Sequence, residues 1–481
     1  MLKTKSLLLF LLSFLLLGIY ASAQTTGKRP VIIIPGVSGS ELVNPANGKT
    51  AWFSVRRDKD DDLRLPMTST NLRNNRDGLK VQDIIRKVEL PVLPDVEVYQ
   101  SLIDSLKERG YTEAKWNKPQ AEDVFYVFPY DWRRDNVEAA QMLMQKMTTA
   151  KRVLKRPDLK FDILAHSMGG LIARYAAMYG SADLPARGVE PVPRWVGAAH
   201  INKLMMFGTP NEGSFGSFDA LLNGYPIVAD RKLPFIDDLR AEDVMTQPSV
   251  FQLIPHQRWA RFLDENLKPL HVDLYDVKTW IKYGWGAIAD PKFLSKLKDA
   301  GRLAVTNKEI KPATLSKDAS KDDRLFAQTT FAQVRAYMAA ALDRAKRFHL
   351  ALDAVTKPSS VQIYAFGGNC APTLDAVVLI RDEKKDQWKT LLDARDIKTT
   401  DGKEIKKDDV KLAMFTVGDG RVTKRSLLAE SSLPGQTDSV TYTIPLTSSF
   451  LACGSHTKLF LEKEIQDSFM SALIVEKKEQ P

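Results

Sequence analysis

Along the first two hundred positions, short apolar runs rich in β-branched residues alternate with stretches whose apolar positions recur every three or four residues. The first pattern suits buried strands and the second one face of a helix. Residues 31–34, Val-Ile-Ile-Ile, read as a strand that ends at Pro35-Gly36. Val98, Leu102, Ile103 and Leu106 share a helical face that stops at Gly110. A strand follows at 124–128, and Val137, Ala140, Met144 and Met147 mark the next amphipathic helix. Residues 161–164 read as a further strand, 168–179 as a helix closed by Gly180, and 204–207 as a strand ended by Gly208-Thr209-Pro210. Strands and helices taken in turn predict an α/β fold, a mainly parallel sheet flanked by helices.

The alternation then breaks off. From 211 to 357 the chain shows helical and loop patterns but no run that reads as a buried strand. Trp259, Trp280, Tyr283 and Trp285 supply aromatic surface there, and residues 315–324 are polar and charged enough to predict a mobile loop. Phe331, Val334, Met338, Leu342, Ala345 and Phe348 line one face of a long helix. Strand patterns resume at 361–366 and 411–417, separated by a charged excursion at 381–409 with a hairpin turn at Asp401-Gly402. The expected organisation is one core, split into 24–210 and 358–481, with a largely helical cap inserted at 211–357.

The first 23 residues fall outside that core. Lys3 and Lys5 precede an almost unbroken apolar run at 7–17, and Ala21-Ser22-Ala23 places small residues before Gln24, the layout of a cleaved export signal. The run is short for a permanent membrane span, which takes about 20 residues; an uncleaved anchor is the alternative. Composition adds further limits. With 481 residues, 44% of them hydrophobic and 27% charged, the chain is neither disordered nor collagen-like. A net charge of +10 with interspersed signs fits weak attraction to anionic surfaces and gives no reason to expect nucleic-acid binding. Export would place Cys370 and Cys453 in an oxidising compartment, where two cysteines are expected to pair. Two separate buried thiols are the alternative.

The sharpest local chemistry lies at 161–170, Phe-Asp-Ile-Leu-Ala-His-Ser-Met-Gly-Gly. It reads as strand, tight turn and helix, with Ser167 at the bend and the small residues Ala165 and Gly169 on either side. That is the pattern of a nucleophile elbow, with Ala165 in place of the first glycine. Large side chains two positions before or after the serine would collide with the neighbouring strand and helix. The helix starting at Met168 would aim its free N–H groups at the reaction centre, where negative charge develops. The plain alternative is a serine that merely caps a helix.

A serine hydroxyl becomes a useful nucleophile when a histidine takes its proton, and that histidine needs an orienting carboxylate. On elbow enzymes the order along the chain is serine, acid, histidine. The six histidines are His166, His200, His256, His271, His349 and His456. His166 stands on the bend, where its ring cannot readily reach back over Ser167. Towards the C-terminus stand His349, whose place at the end of the long helix suits a helix-end or packing role, and His456. His456 lies in Cys453-Gly454-Ser455-His456-Thr457, ahead of a helical pattern at Leu459, Phe460, Ile465 and Phe469, and is the expected base; a solvent-exposed loop histidine is the alternative. The expected acid is Asp419, in Gly418-Asp419-Gly420 at the end of the 411–417 strand, where glycines let the backbone turn sharply. Such tripeptides are commonly plain turns, and Asp375 after the preceding strand is the runner-up.

An oxyanion hole takes two backbone N–H groups about 3 Å from the developing charge. Met168 is expected to give one. Val37, in the loop Pro35-Gly36-Val37-Ser38-Gly39 after the first strand, is expected to give the other, although that loop could be a simple glycine-rich turn. It is not a phosphate loop, because no Gly-Lys-Ser/Thr follows. The sequence has no His-Glu-x-x-His, no Cys-x-x-Cys and no dinucleotide fingerprint, so no metal or organic cofactor is expected.

Taken in order, Arg29-Pro30-Val31-Ile32-Ile33-Ile34-Pro35-Gly36, Pro129-Tyr130-Asp131-Trp132-Arg133, Ala165-His166-Ser167-Met168-Gly169-Gly170, Gly418-Asp419-Gly420 and His456 resemble the lecithin:cholesterol acyltransferase family of the α/β-hydrolase superfamily. That family also includes lysosomal phospholipase/transacylases and phospholipid:diacylglycerol acyltransferases. The likeness spans most of the chain after the export signal and is poor at 211–357. It implies Ser167 as nucleophile, Asp419 as acid, His456 as base and Val37 at the oxyanion hole. A disulfide near the histidine loop, as in the family, would suit Cys370 and Cys453. Relatives usually carry threonine after Gly-Asp-Gly, where this chain has Arg421. Asp131 and Arg133 are expected to form a structural salt bridge.

The resemblance implies an exported serine hydrolase or O-acyltransferase acting on phospholipid-like esters through an acyl-enzyme. Its partners would be a lipid ester, an acyl acceptor (water or an alcohol) and a membrane surface in peripheral contact. The competing readings are a general carboxylesterase or triglyceride lipase with the same three residues, and a non-catalytic lipid-binding protein that keeps the hydrolase fold.

Overall fold

The computed structural model describes residues 27–54, 63–88, 96–225, 238–300, 310–311, 313–317, 319–354, 359–430 and 443–474. The expected export signal at 1–23 lies outside them. Seven strands make the main sheet: β1 Val31–Ile34, β2 Thr112–Glu113, β3 Val124–Val127, β4 Phe161–His166, β5 Ile201–Phe207, β6 Gln362–Gly368 and β7 Leu446–Ala452. Their spatial order is β7-β6-β5-β4-β1-β3-β2, and every neighbouring pair is parallel. The chain builds one side of the sheet from β1 and then the other, so the strand order reverses there. In open sheets of this kind the crevice beyond the carboxyl ends at the reversal is where ligands bind.

Helices cover both faces, which explains why the inner strands are largely apolar runs rather than alternating ones; the edge strands Thr112–Glu113 and Leu446–Ala452 are exposed or half-buried over most of their length. Val31 and Ile33 pack with Leu102, Ile103 and Leu106 of the helix Gln100–Glu108 and with Ile465 and Phe469 of the helix Lys463–Ile474. Ile32 and Ile34, pointing the other way by the two-residue period of a strand, join the larger cluster formed with the helices Asn136–Leu154, Met168–Tyr179 and Phe331–Asp353. Each of the twelve positions of Met168–Tyr179 is buried. Its N-terminus is therefore fixed by packing over its whole length.

Three readings of the pattern change. A second sheet of four strands, in the order Pro269–Leu270, Arg261–Leu263, Ala376–Asp382 and Gln387–Leu391, joins the 211–357 stretch to residues C-terminal of it. Arg261–Leu263 pairs in parallel with Ala376–Asp382. A three-residue strand whose partner lies more than a hundred positions away leaves no periodic signal, and the expected boundary at 357/358 cuts through this sheet. Secondly, residues 411–414 close a helix, Lys407–Met414, and the strand is Phe415–Gly418, paired with Ala371–Leu374. Asp408 and Asp409 suit the first turn of that helix, while Val410 and Met414, four apart, are both buried. Thirdly, the stretch 315–324 read as a loop ends in a short helix, Lys321–Phe326, which runs two residues beyond it. Asp401-Gly402 does lie between paired strands, Ile397–Lys398 and Glu404–Ile405, with Gly402 at φ +88°.

The four aromatic residues singled out in 211–357, Trp259, Trp280, Tyr283 and Trp285, turn inward. Trp259, Trp280 and Trp285 are almost fully buried, and Trp285 packs against Tyr283, Phe218 and Phe262. Trp280, Tyr283 and Trp285 belong to the same buried cluster as Ile32 and Ile34 instead of offering an open surface. Among the described residues no helix is long and apolar enough to cross a membrane.

Candidate active site

The bend after β4 is built as the small residues require. Ser167 sits at φ +51°, ψ −122°, a conformation costly for any residue with a side chain. Two flanking contacts hold it there: Ser167 N–H donates to the Phe207 carbonyl at 2.8 Å, and Gly170 N–H donates to the Ser167 carbonyl at 3.0 Å. A Cβ on Gly169 would stand 2.6 Å from the Pro35 carbonyl oxygen and 2.7 Å from that of Ile34. Glycine there is what lets the helix approach β1. Ala165 lies between Ile34 and Met206 in the sheet register and is wholly buried, so a methyl group is accommodated where the elbow pattern has glycine.

His456, four residues beyond the end of β7 at Ala452, reaches Ser167 across 289 positions of chain, with 3.0 Å between its Nε2 and Ser167 Oγ. Its Nδ1 is 2.8 Å from Asp419 Oδ2. An ionised carboxylate can only accept, so the imidazole proton belongs on Nδ1, leaving Nε2 to accept from the serine hydroxyl. Asp419 Oδ1 is occupied by the N–H groups of Arg421 at 2.9 Å and Val422 at 2.7 Å. Burial opposes ionisation of Asp419, but His456 and those two amides outweigh it and hold the carboxyl below its ordinary range. The two loops also meet through backbone: His456 N–H donates to the Asp419 carbonyl at 2.9 Å.

Cys370 and Cys453 are joined as a disulfide, which ties the end of β6 to the end of β7. Gly368 allows the same convergence, since a Cβ there would lie 2.2 Å from the Gly454 carbonyl oxygen and 2.7 Å from Asp419 Cβ. Asp375, the other candidate acid, is buried and engaged by Arg261 and Arg425 instead. His349 is buried in its helix, stacked on His256 with ring centroids 4.0 Å apart. Arg133, with no exposed surface on its side chain, bridges Asp131 and Asp77.

The loop after β1 is clamped from several sides. Tyr130 O–H donates to the Pro35 carbonyl at 2.9 Å, Trp52 Nε1–H to that of Ser38 at 2.7 Å, and Trp132 Nε1–H to that of Ser40 at 3.2 Å. The Pro-Tyr-Asp-Trp-Arg segment thus braces this loop as well as holding the salt bridge. Gly36 N–H donates to the Tyr99 hydroxyl at 2.8 Å. Neither Val37 N–H nor Met168 N–H has a hydrogen-bond partner among the described residues. Val37, Ser167 and His456 share a narrow cavity of about 60 Å³, walled by Trp132, Tyr225, Leu239, Val244, Val250 and Leu253 and bordered by Arg421. Tyr99 and Trp52 had no signal in the sequence, because a buried aromatic residue before a helix or in a short strand looks like ordinary core. Among the described residues no three or more His, Cys, Asp or Glu side chains are grouped to hold a metal ion.

A family model described as lecithin:cholesterol acyltransferase matches residues 50–429, a span that contains Ser167 and Asp419 and ends before His456. Comparison with curated proteins gives no match. Among solved structures, the crystal structure of a Tle4–Tli4 complex is similar with a TM-score of 0.50 at 13% identity, over 93% of this chain and 98% of that one. The mature Bacillus licheniformis lipase BlEst2 matches at 12% identity and a TM-score of 0.31, over 94% of this chain and 95% of that one. The phospholipase PlaB from Legionella pneumophila matches at 13% identity and a TM-score of 0.21, over 47% of this chain and 32% of that one. At 13% identity the likeness to the Tle4–Tli4 structure speaks for the fold alone; the family match, over more than three quarters of the sequence, carries more. The chain belongs to the lecithin:cholesterol acyltransferase family, as a lipid-acting hydrolase or acyltransferase of the α/β-hydrolase fold.

Proposed function

We propose that the protein is an exported serine hydrolase or O-acyltransferase that acts on phospholipid-like esters through an acyl-enzyme. The observation that carries this reading is the file of contacts from Ser167 Oγ to His456 Nε2 at 3.0 Å and from His456 Nδ1 to Asp419 Oδ2 at 2.8 Å. As Ser167 Oγ attacks the acyl carbonyl, its proton passes to His456 Nε2, and Asp419 stabilises the imidazolium that forms. The carbonyl oxygen becomes an oxyanion, received by the N–H groups of Val37 and Met168. Collapse of the tetrahedral intermediate breaks the ester C–O bond, and the leaving alkoxide takes the proton from His456. Water or an alcohol then attacks the acyl-enzyme with His456 again as base, which yields a fatty acid or a new ester.

The apolar wall of the cavity suits an acyl chain better than a polar one. In this reading the described residues of 211–357, with the second sheet they share with Ala376–Asp382 and Gln387–Leu391, form a cap that keeps bulk water from the acyl-enzyme. Export is supported by the leader pattern at 1–23 and by the disulfide; N-terminal sequencing of the mature protein should begin at Gln24.

The test is purified protein on phospholipid vesicles and aryl esters, with and without an added alcohol. Wild type is expected to release fatty acid and to react with a fluorophosphonate probe; Ser167→Ala is expected to do neither. Equal fatty-acid release by the two would falsify the reading. A panel of headgroups separates a phospholipid enzyme from a general carboxylesterase or triglyceride lipase, which would show no headgroup preference.

A further inference from the structure

His166 and Tyr99 take no part in the steps above, yet they connect three pieces that do. His166 Nε2 lies 3.1 Å from the His456 carbonyl oxygen, and its Nδ1 lies 2.9 Å from the Tyr99 hydroxyl. That hydroxyl also receives Gly36 N–H at 2.8 Å. Chemistry fixes the direction of every bond in this chain. A carbonyl oxygen can only accept, so His166 carries its proton on Nε2 and donates to His456. Its Nδ1 is then an acceptor, so Tyr99 O–H donates to it. The remaining lone pairs of the Tyr99 oxygen accept the amide proton of Gly36, which can only donate.

We propose that Tyr99 and His166 are positioning residues, a buried hydrogen-bond chain that sets the Gly36–Val37 loop and the backbone of His456 at fixed places around Ser167. The inference rests on the reading of Ser167 and His456 as nucleophile and base. Gly36 precedes the residue assigned to the oxyanion hole, and a Cβ on it would stand 2.9 Å from Ser167 Cβ. At the other end, the His456 main chain is gripped on both sides: its carbonyl by His166 and its N–H by the Asp419 carbonyl at 2.9 Å. With the backbone pinned at two points, the imidazole has little freedom except rotation about its own side-chain bonds, and the Asp419 carboxylate restrains that. His166 also immediately precedes Ser167, so any shift of its ring is felt at the bend.

The surroundings keep the chain dry and in one protonation state. Phe460 packs against the rings of both Tyr99 and His166, and the titratable groups facing His166 are Tyr99, His456 and Asp419. Burial, with His456 beside it, pushes the His166 imidazole down to about 3, and burial holds the Tyr99 phenol well above its ordinary range. A neutral imidazole flanked by a protonated phenol has one hydrogen-bonded arrangement here, so the link does not switch with ordinary changes of pH.

The experiment combines kinetics on an aryl ester with imidazole 15N NMR of the full-length protein. Tyr99→Phe is expected to lower kcat about tenfold with KM within about twofold, because both hydrogen bonds of its hydroxyl, to His166 and from Gly36, are lost one step away from the base. His166→Leu removes two bonds and should cost about a hundredfold in kcat; His166→Gln, which can still donate to the His456 carbonyl, should recover roughly tenfold of that. In wild type the His166 ring should hold the Nε2–H tautomer without titrating from about pH 5 to 9, its signal identified by its loss in His166→Gln. An active wild type whose Tyr99→Phe and His166→Leu variants keep kcat within about twofold would overturn the inference and leave the functional reading intact. A His166 ring that titrates near its ordinary value, or that is protonated on Nδ1, overturns it equally. A wild type that neither labels with fluorophosphonate nor cleaves esters overturns the functional reading and this inference together.

Discussion

The elbow at Ser167 and the arm that carries Asp419 and His456 are held in place by opposite means. The elbow is local: strand, bend and helix occupy one uninterrupted stretch, and its strained residue is gripped by a buried strand on one side and a buried helix on the other. The arm is assembled from afar. Asp419 follows a short strand paired with Ala371–Leu374, His456 follows β7, and a disulfide across 83 positions with one backbone hydrogen bond draws the two together. A local device is rigid because its flanks are core. An assembled one is only as rigid as its ties, so damage to the arm should reach activity before it reaches the fold, and damage to the elbow should do the reverse.

That contrast can be broken in several ways. The largest effect is expected from Asp419→Asn, which keeps the arm's shape but spoils the charge and tautomer control of His456: kcat should fall about 10⁴-fold while the melting temperature moves little. A loss in kcat of less than tenfold would mean that another group orients His456. Replacing Cys370 and Cys453 together with serine reopens a loop of 83 positions, for which the chain-entropy picture gives a stability loss of about 4.5 kcal/mol. Hydrogen exchange should then quicken at 453–461 well before it does at 161–170; uniform quickening would show that arm and elbow are not separately held.

Gly169→Val strikes the other region. Its side chain would press on the carbonyl oxygens of Ile34 and Pro35, and a cost of about 3 kcal/mol is expected in urea unfolding, larger than its effect on the KM of whatever folded protein remains. The smallest effect is in acid. His166 is held to about 3 in the folded state against an ordinary 6.5. Between those values the unfolded chain takes a proton that the folded one refuses, so stability falls as pH drops below about 6.5. The slope for that one proton is about 1.4 kcal/mol per pH unit. Asp419, depressed in the folded state, adds stability above the ordinary carboxylate range that is lost as pH falls through its folded value. Urea midpoints at pH 7, 6 and 5 should show a gentler slope for His166→Gln than for wild type; parallel slopes would count against a neutral buried His166.

The five inner strands of the main sheet were legible because burial on both faces demands apolar runs, whereas the edge strands Thr112–Glu113 and Leu446–Ala452, exposed or half-buried over most of their length, carry no such run and were missed; Ser167 was legible because the elbow's constraints fall within a few residues of it. The arm was less so. Asp419 and His456 followed from their order in the chain and from family resemblance, not from any local pattern. The strand Arg261–Leu263 was missed for want of length, and 411–414 were read as strand because a short apolar run does not distinguish the two periods, although Val410 and Met414 carry the helical one.

By itself, then, the sequence determined the layered α/β architecture, the bend at Ser167 and the small residues that permit it, since each depends on neighbours in the chain. Only the tertiary structure decided which histidine meets that serine, that Asp375 serves Arg261 and Arg425 while Asp419 serves His456, and that Tyr99 and His166 join the two sides of the site. The physical reason is range. Backbone conformation and burial are written in periodicities of two to four residues, whereas a hydrogen bond between groups hundreds of positions apart is set by how the packed layers bring strand ends together.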